Sequence, residues 1–199
     1  MSVRIPQLEA LLAAPQYPIV DPGGVTFVYR GAADAVRLRC WIHGLPASQA
    51  FERIDDGDLW VLRVELPGNS RIEYKFEVIR DGREEWILDP LNPLRASDPF
   101  GANSVVRGHG YVRPGWTEPD PEARTGTLEE LTVPSTALGG NRHIGVYVPA
   151  RFRRSRRYPL LLVHDGLDYL RYANLQVVLD NLIHRLAIPP LIAALIASP

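Results

Sequence analysis

The sequence predicts a small β-sandwich followed by the opening part of an α/β domain that stays incomplete. In the first half, short runs of alternating apolar and polar residues are separated by turn residues, with no helix between them, which is typical of antiparallel sandwiches. Near the C-terminus an apolar strand, a helix and a second apolar strand follow one another, as in a parallel βαβ unit. We expect a helix plus sandwich over residues 1–107, a linker rich in proline and glycine over 108–127, and the α/β segment over 128–199.

The sandwich strands are predicted from their alternation. A short helix is expected over residues 7–14, ended by Pro15. Alternating apolar residues then predict strands over residues 25–30, 36–43 and 59–66. The acidic turn Asp55-Asp56-Gly57-Asp58 precedes the third of these strands and is interpreted as a hairpin turn rather than a calcium loop, because the terminal glutamate of such a loop is missing at the right distance.

The clearest strand covers residues 71–79. Its apolar residues are expected in the core and its charged residues in water. The apolar set is Ile72, Tyr74, Phe76 and Val78, and the charged set is Arg71, Glu73, Lys75 and Glu77. Asp81-Gly82 predicts a tight hairpin that returns through residues 84–88. Residues 104–107 close the module. Trp60 and Trp86 fall among apolar neighbours and are expected in the core.

The second domain is predicted from a change of pattern. Residues 128–133 and 142–148 indicate a pair of strands. Residues 158–163 are continuously apolar, which predicts a strand buried on both faces. Leucines and valines at helical spacing predict a helix over 172–186, and residues 191–197 predict a second buried strand. A parallel sheet needs helices on both faces and this segment offers one, so we expect the domain to be unfinished.

Composition and charge exclude several classes of function. The 22 basic and 23 acidic residues give a formal net charge of -1, which argues against a nucleic-acid partner. The single cysteine, Cys40, excludes an intrachain disulfide and a multi-cysteine zinc site, and its strand-like setting indicates a buried, unreactive thiol. Neither a secretory signal nor an apolar run of membrane-spanning length is present. We therefore expect a cytoplasmic protein without a membrane, metal or cofactor partner.

The segment with a mechanistic character is Val163-His164-Asp165-Gly166-Leu167-Asp168. It follows a buried strand and precedes a helix, and open α/β sheets bind their ligands beyond the carboxyl ends of the strands. A glycine in such a turn lets backbone amides face a cavity, which is how an oxyanion hole can form. His164 is interpreted as a structural residue, and His164, Asp165 and Asp168 lack the further ligands that a metal site needs.

Several segments together resemble the enterochelin-esterase-like (esterase D-like) branch of the α/β-hydrolases. The quoted segments are Tyr147-Val148-Pro149, Tyr158-Pro159-Leu160-Leu161-Leu162-Val163-His164-Asp165-Gly166, Leu179-Asp180-Asn181-Leu182-Ile183 and Ile188-Pro189-Pro190-Leu191-Ile192. Asp89-Pro90-Leu91-Asn92-Pro93, with Asn103-Ser104-Val105 after it, resembles the end of that family's N-terminal sandwich. The sandwich itself is similar to early-set, Ig-like modules, including glycogen-binding ones. The resemblance therefore implies an early-set sandwich and the truncated N-terminal part of an α/β-hydrolase domain.

This resemblance implies hydrolysis of a small-molecule carboxylic ester by Ser, His and Asp or Glu, with the serine on a Gly-x-Ser-x-Gly elbow. The sequence contains no such elbow; Gly68-Asn69-Ser70-Arg71-Ile72 lacks the second glycine. No catalytic residue is therefore assigned, and the chain alone is expected to be inactive. By resemblance, the backbone amides of Gly166 and Leu167 supply half an oxyanion hole, and His164 and Asp165 are candidates to support that turn.

Two other interpretations stay open. The sandwich is a candidate non-catalytic module for a glycan or another ligand, with Trp41 on the sheet face opposite Cys40 as an aromatic platform. The chain is alternatively an inactive truncation product, whose strand over residues 158–163 would form an uncovered sheet edge and promote self-association. The basic run Arg151, Arg153, Arg154, Arg156 and Arg157 is interpreted as a solvated loop rather than a nucleic-acid site.

Overall fold

The computed structural model describes residues 13–40, 46–55, 57–137 and 139–197. The chain divides into two compact units, Met1–Val112 and Arg113–Pro199. The helix expected over residues 7–14 lies almost entirely outside the described residues, and so do Trp41 and His43. Within the described residues, no helix is long and apolar enough to cross a membrane.

The first unit consists of two antiparallel sheets. Its strands are β1 (Ile19–Asp21), β2 (Gly24–Arg30), β3 (Ala35–Cys40), β4 (Ser48–Ala50), β5 (Glu52–Ile54), β6 (Leu59–Val64), β7 (Arg71–Arg80), β8 (Arg83–Ile87), β9 (Arg95–Asp98) and β10 (Gly101–Arg107). One sheet has the order β1-β2-β6-β5, and the other has the order β4-β3-β7-β10-β9 with β8 also paired to β7. The predicted strands are all present, whereas the short strands β1, β4, β5 and β9 were not predicted because their alternation is too brief to detect.

The two sheets share one aromatic core. The rings of Phe27 from β2 and Tyr74 from β7 meet edge to face with centroids 4.9 Å apart, and those of Phe51 and Phe76 meet at 5.1 Å. Such pairs add to the free energy gained by burying apolar area. Cys40 is buried in the same core as expected, and burial raises the pKa of its thiol, which disfavours the reactive thiolate.

The hairpins follow the predicted turn chemistry. Asp81 and Gly82 both have positive φ angles, 49° and 72°, which is the backbone that a tight two-residue hairpin requires. They join β7 to β8, which pair antiparallel as expected. The acidic turn at residues 55–58 likewise joins β5 to β6, although Asp56 lies outside the described residues.

A buried polar cluster fixes the segment that follows β8. The Tyr74 hydroxyl donates to the Asp89 carboxylate at 2.6 Å, and the Asn92 amide donates to that hydroxyl at 2.9 Å and to the Val105 carbonyl at 2.8 Å. Burial raises the pKa of Asp89 and that of Tyr74. This cluster gives a physical reason for the polar residues of the Asp89-Pro90-Leu91-Asn92-Pro93 segment, since each buried polar atom there needs a partner.

Two expectations about burial in the sandwich are wrong. Glu77 was expected to face water, but it is fully buried on the outer side of β7 beneath neighbouring side chains. Trp86 was expected in the core, but it is 47% exposed, whereas Trp60 is 5% exposed as predicted. Both errors have one cause: β8 lies beside β7 as a sheet extension, so Trp86 covers the charged face of β7 instead of entering the core.

The second unit is a mixed four-stranded sheet with two helices. Its elements are a 3-10 helix (Gly115–Thr117), β11 (Thr127–Ser135), β12 (Gly140–Val148), β13 (Leu160–His164), α1 (Gly166–Ala173), α2 (Leu175–His184) and β14 (Ile192–Ile196). The strand order is β11-β12-β14-β13. As predicted, β13 and β14 are parallel, and β12 pairs antiparallel with both β11 and β14.

The helical part differs from the single helix expected over residues 172–186. The chain is already helical at Gly166, and Asn174 breaks the helix in two because its φ angle of 50° is left-handed. Asparagine adopts this conformation more readily than most residues. The expectation of one helix is therefore wrong. The sequence did not reveal the first helix because its polar surface weakens the periodic apolar signal.

The connector before β11 is held by buried polar side chains of α2. The Asn181 amide donates to the carbonyls of Trp116 and Glu118 at 2.9 and 2.6 Å. The Asp180 carboxylate accepts from the Gly126 amide at 2.8 Å and from the Tyr147 hydroxyl at 2.7 Å. The proline-rich segment in the second unit is thus fixed by specific hydrogen bonds, although its composition indicates only an extended chain.

The strand β13 is not buried on both faces, which corrects the expectation for residues 158–163. Leu160 and Leu162 are 63% and 58% exposed, and Leu161 is also exposed. The reason is that β13 lies at the end of the strand order with only β14 beside it. The strand β14 occupies the inside position, and its Ala193 and Leu195 are buried in the core of this unit.

Candidate functional site

The turn between β13 and α1 is the only strand-to-helix turn among the described residues. His164 ends β13 opposite Ile196 of β14. Asp165 then adopts a left-handed φ of 55° and reverses the chain direction, and α1 begins at Gly166. The turn therefore lies at the carboxyl edge of the two parallel strands, where open α/β sheets present their functional groups.

Gly166 is required by packing as well as by the turn. It is buried against the backbone of Leu195 in β14, and there is no room for a Cβ atom at this position. A glycine lets α1 start directly on the sheet. The two parallel strands thus determine where the first amides of α1 lie.

Two backbone amides at this turn lack a backbone acceptor among the described residues. The Asp165 carbonyl accepts from the amides of Asp168 and Tyr169 at 2.9 and 3.1 Å. Within the part of the chain that the structure describes, the amides of Gly166 and Leu167 have no backbone acceptor outside the helix. The amides of a first helical turn carry the positive end of the helix dipole. Leu167 is 45% exposed, so this end of the helix is open to solvent.

His164 and Asp165 are both exposed. The Asp165 side chain makes no cap hydrogen bond to α1. Both residues line a cavity of about 540 Å³, together with the adjoining ends of β11, β12 and β14. His143 also lines this cavity, and its Nδ1 atom lies 2.6 Å from Glu130. Sequence analysis missed His143 as a neighbour of the turn, because only the sheet order brings β12 near β13.

No nucleophile stands at the turn. Ser70, the nearest approach to an elbow in sequence, belongs to the first unit and directly precedes the antiparallel strand β7. Its amide donates to Pro67 and its hydroxyl is buried without a hydrogen-bond partner among the described residues. Within the same residues, no three histidine, cysteine, aspartate or glutamate side chains are placed to hold a metal ion. The turn itself, residues 164–168, contains no serine or cysteine side chain.

A second candidate site lies on the outer face of the sheet that contains β7. Trp86 lies there with its indole N–H 3.2 Å from the Glu77 carboxylate and the Arg39 guanidinium 5.2 Å from the ring centre. Arg37 and Arg39 bond the same carboxylate, at 3.2 and 2.5 Å. Although burial alone would raise the pKa of Glu77, its hydrogen bonds from Arg39, Trp86 and Arg37 lower it below the ordinary value. Trp86 is therefore held in one orientation while nearly half of it stays exposed.

The groove beside Trp86 has a volume of about 700 Å³. Phe100, which is almost fully exposed, also lines it, and so do Lys75 and Asn103. Trp41, the platform residue proposed from sequence, lies outside the described residues. Sequence analysis assigned Trp86 to the core and so missed this groove; the signal available was the run of charged residues around it, Arg83, Glu84 and Glu85.

Comparison with known proteins identifies one matching family and several similar solved structures. The family described as "Putative esterase" matches residues 135–199. A comparison with curated protein sequences found no significant match. Among solved structures, the enterobactin esterase FES from Shigella flexneri, determined in the presence of enterobactin, is 22% identical with a TM-score of 0.63. The ferric enterobactin esterase from Salmonella typhimurium is 20% identical with a TM-score of 0.64.

These matches cover nearly the whole chain but only part of each solved protein. The Shigella structure matches 98% of this chain, which spans 58% of that protein; for the Salmonella structure the values are 90% and 55%. The sequence indicated a resemblance to the enterochelin esterases, and these structural matches confirm it at the level of the fold. Antiparallel sheets come first, and a mixed sheet with helices follows them.

Proposed function

We propose that this chain is the N-terminal part of a carboxylic ester hydrolase of the enterochelin-esterase type. The observation that carries the proposal is the free pair of amides at Gly166 and Leu167, at the carboxyl edge of the parallel strands. The similarity to the enterobactin esterases over almost the whole chain supports it. The substrate class in the complete protein is a small-molecule ester, and siderophore lactones are the candidates that the similar structures suggest.

In this proposal the chain stabilises charge and does not perform the attack. Attack on an ester carbonyl develops a negative charge on its oxygen, and the Leu167 amide, with that of Gly166, donates hydrogen bonds to that oxygen. The mechanism also requires a serine, an acid and a histidine, and these 199 residues contain no Gly-x-Ser-x-Gly elbow to carry the serine. The chain by itself therefore binds no tetrahedral intermediate, and we expect it to be inactive.

The proposal is tested first by reading the source gene beyond the codon for Pro199. A reading frame that continues into Gly-x-Ser-x-Gly, with an acidic residue and a histidine after it, supports the proposal. A stop codon at that point overturns it. The purified 199-residue chain should show no turnover of an aryl ester above the buffer rate; turnover that persists through further purification would also contradict the proposal.

The role of the Leu167 amide has a test of its own in the complete protein. Replacing Leu167 with the corresponding α-hydroxy acid turns its amide into an ester and removes the N–H without changing the side chain. We expect kcat to fall by about 10²–10³, the effect of losing one oxyanion donor. The same replacement at Leu170, within α1 and away from the turn, is the control and should leave kcat nearly unchanged.

A ligand-binding sandwich is the second candidate function, and the orientation of Trp86 favours it. An exposed indole that is held by a hydrogen bond and a stacked guanidinium loses little conformational entropy when a sugar ring stacks on its exposed surface. Titration with maltoheptaose should then show binding that Trp86→Ala abolishes and Trp116→Ala leaves intact. Absence of binding by the unsubstituted chain would remove this candidate without affecting the esterase proposal.

A further inference from the structure

A cationic pocket of about 530 Å³ lies at the end of the mixed sheet opposite the β13–α1 turn. Tyr158 and Pro190, which line it, directly precede the parallel strands β13 and β14, whereas the turn follows β13. Four arginines line this pocket, and all four are exposed. Arg151, Arg153 and Arg156 come from the loop between β12 and β13, and Arg124 comes from the connector before β11.

These four arginines have no carboxylate partner. Within the described residues, the salt bridges of the second unit involve Arg113, Arg185 and His143, and none involves the four arginines of the pocket. The single carboxylate that lines the pocket belongs to Asp180, which already accepts from Gly126 and Tyr147. Four arginines that line one cavity, with a single and already bonded carboxylate beside them, give it a positive potential.

The loop that carries three of the arginines is held in a specific conformation. The Arg153 amide donates to the Tyr158 hydroxyl at 2.9 Å. The Tyr158 ring lies 5.1 Å from the Phe152 ring and 5.6 Å from the Arg156 guanidinium, measured between centres. Arg151 has a left-handed φ of 60°, a conformation that costs free energy in a residue with a side chain. The sequence analysis interpreted this run as a solvated loop, and residues 151–157 are all exposed; the hydrogen bond and the ring contacts nevertheless restrict the conformation of the loop.

We propose that this pocket binds a small oxyanion of the phosphate class that carries two or more negative charges. Guanidinium groups bond phosphate oxygens in pairs, and arginine is preferred over lysine where this geometry is used. The Tyr158 hydroxyl accepts from Arg153 and retains its own proton to donate to the anion. The volume accommodates a pyrophosphate or the phosphate groups of a larger compound.

A small anion fits these observations better than a nucleic acid does. The arginines converge on a concave site instead of following a strip of surface, and the chain as a whole has a net charge of -1. A nucleic-acid site requires an extended series of phosphate contacts and a surplus of positive charge. The proposal is also independent of the esterase proposal, because the site lies at the other end of the parallel strands.

The test is calorimetric titration of the whole chain with sodium pyrophosphate, at an ionic strength held constant with sodium chloride. We expect saturable binding with a stoichiometry of one, and we expect the double variant Arg124→Gln, Arg153→Gln to lose at least about tenfold in affinity. Glutamine keeps the Arg153 backbone amide that bonds Tyr158, so the loop is retained. The double variant Arg30→Gln, Arg83→Gln, at two exposed arginines outside the pocket, removes the same number of charges and should bind like the unsubstituted chain.

Further titrants distinguish the sources of the anion. Inorganic phosphate that binds as tightly as pyrophosphate identifies a single phosphate as the ligand, and citrate that binds more tightly than either overturns the phosphate assignment. A duplex oligonucleotide that binds more tightly than pyrophosphate overturns the small-anion proposal. Equal losses in the pocket variant and in the control double variant Arg30→Gln, Arg83→Gln also overturn it, because binding would then depend on net charge alone. NMR gives a second readout. On addition of pyrophosphate, we expect the amide shift changes to be confined to residues 150–158 and the connector near Arg124.

Discussion

Gly166 lies directly against Leu195, and a Cβ atom on the glycine would come within 2.4 Å of the Leu195 Cα atom. The contact joins the start of α1 to the buried strand β14. It determines where the free amides of the turn lie, because α1 cannot approach the sheet this closely with any other residue at its first position.

Gly166→Ala is expected to destabilise the second unit by about 3 kcal/mol, since the added methyl group overpacks a site bounded by backbone atoms. Gly145→Ala in β12 is the matched control: its Cβ atom would meet Leu195 and Leu167 at 3.4 Å or more, so the loss should stay below about 1 kcal/mol. Hydrogen exchange of the β14 amides measures both variants. Equal protection in the two variants would contradict the close packing.

Glu77→Gln is expected to destabilise the first unit by about 2 kcal/mol, because two arginines lose a buried anionic partner. Glu73→Gln removes a half-exposed pair with Arg71 and should cost less than about 1 kcal/mol. The pKa of Glu77 is lowered in the folded state, so its contribution is present above the unfolded pKa and disappears as the pH falls through the folded one. The free energy of unfolding is measured by urea titration. The difference in this free energy between Glu77→Gln and the unsubstituted chain should narrow as the pH falls below about 4.

The buried tyrosines predict alkaline destabilisation. Burial, together with Asp180, raises the pKa of Tyr147, and burial with Asp89 raises that of Tyr74. Because the folded state keeps both phenols neutral, their stabilisation is complete below the unfolded pKa of about 10 and declines as the pH rises above it.

Tyr147→Phe separates this effect from general alkaline unfolding. At neutral pH the variant should lose about 1 kcal/mol with the hydrogen bond to Asp180, and between about pH 9 and 11 its stability should fall less steeply than that of the unsubstituted chain. Tyr169→Phe, at an exposed tyrosine of α1, should follow the unsubstituted chain at every pH. Parallel pH curves for all three proteins, from urea unfolding followed by circular dichroism, would refute the assignment.

We propose that the chain self-associates through β13. Both outer strands of the mixed sheet are edges, but β11 carries Glu129 and Glu130 whereas β13 is Leu160-Leu161-Leu162-Val163-His164. Charged residues discourage pairing between sheet edges, and an apolar edge promotes it. Leu162→Lys should shift the chain toward monomer in sedimentation velocity runs, and Leu131→Lys on β11 should not. A monomeric unsubstituted chain would end this proposal.

The strands and hairpins could be predicted because their signals are local. Alternation along β7 and the pair Asp81-Gly82 depend on side-chain direction and on backbone sterics, which neighbouring residues determine. The parallel pairing of β13 and β14 followed from the helical segment between them. The glycine turn at Gly166 could be identified for the same reason, since a strand end, a glycine and a helix start are adjacent in sequence.

The burial of particular side chains could not be predicted in this way. Glu77 is buried because Arg37, Arg39 and Trp86 arrive from neighbouring strands, and the single sequence does not indicate which strands are neighbours. The cationic pocket depends on Arg124 meeting a loop that follows β12. Its arginines are visible in the sequence as a charged run, but their convergence is not.

The sequence by itself determined the two-part β and α/β organisation, the hairpin turns and the glycine-containing turn after β13. Only the tertiary structure decided that Glu77 is buried, that Trp86 is an oriented surface residue and that four arginines share one pocket. The physical reason is that backbone conformation depends on nearest neighbours along the chain, whereas solvent exposure and electrostatic potential depend on residues that are distant in sequence and meet only when the sheets form.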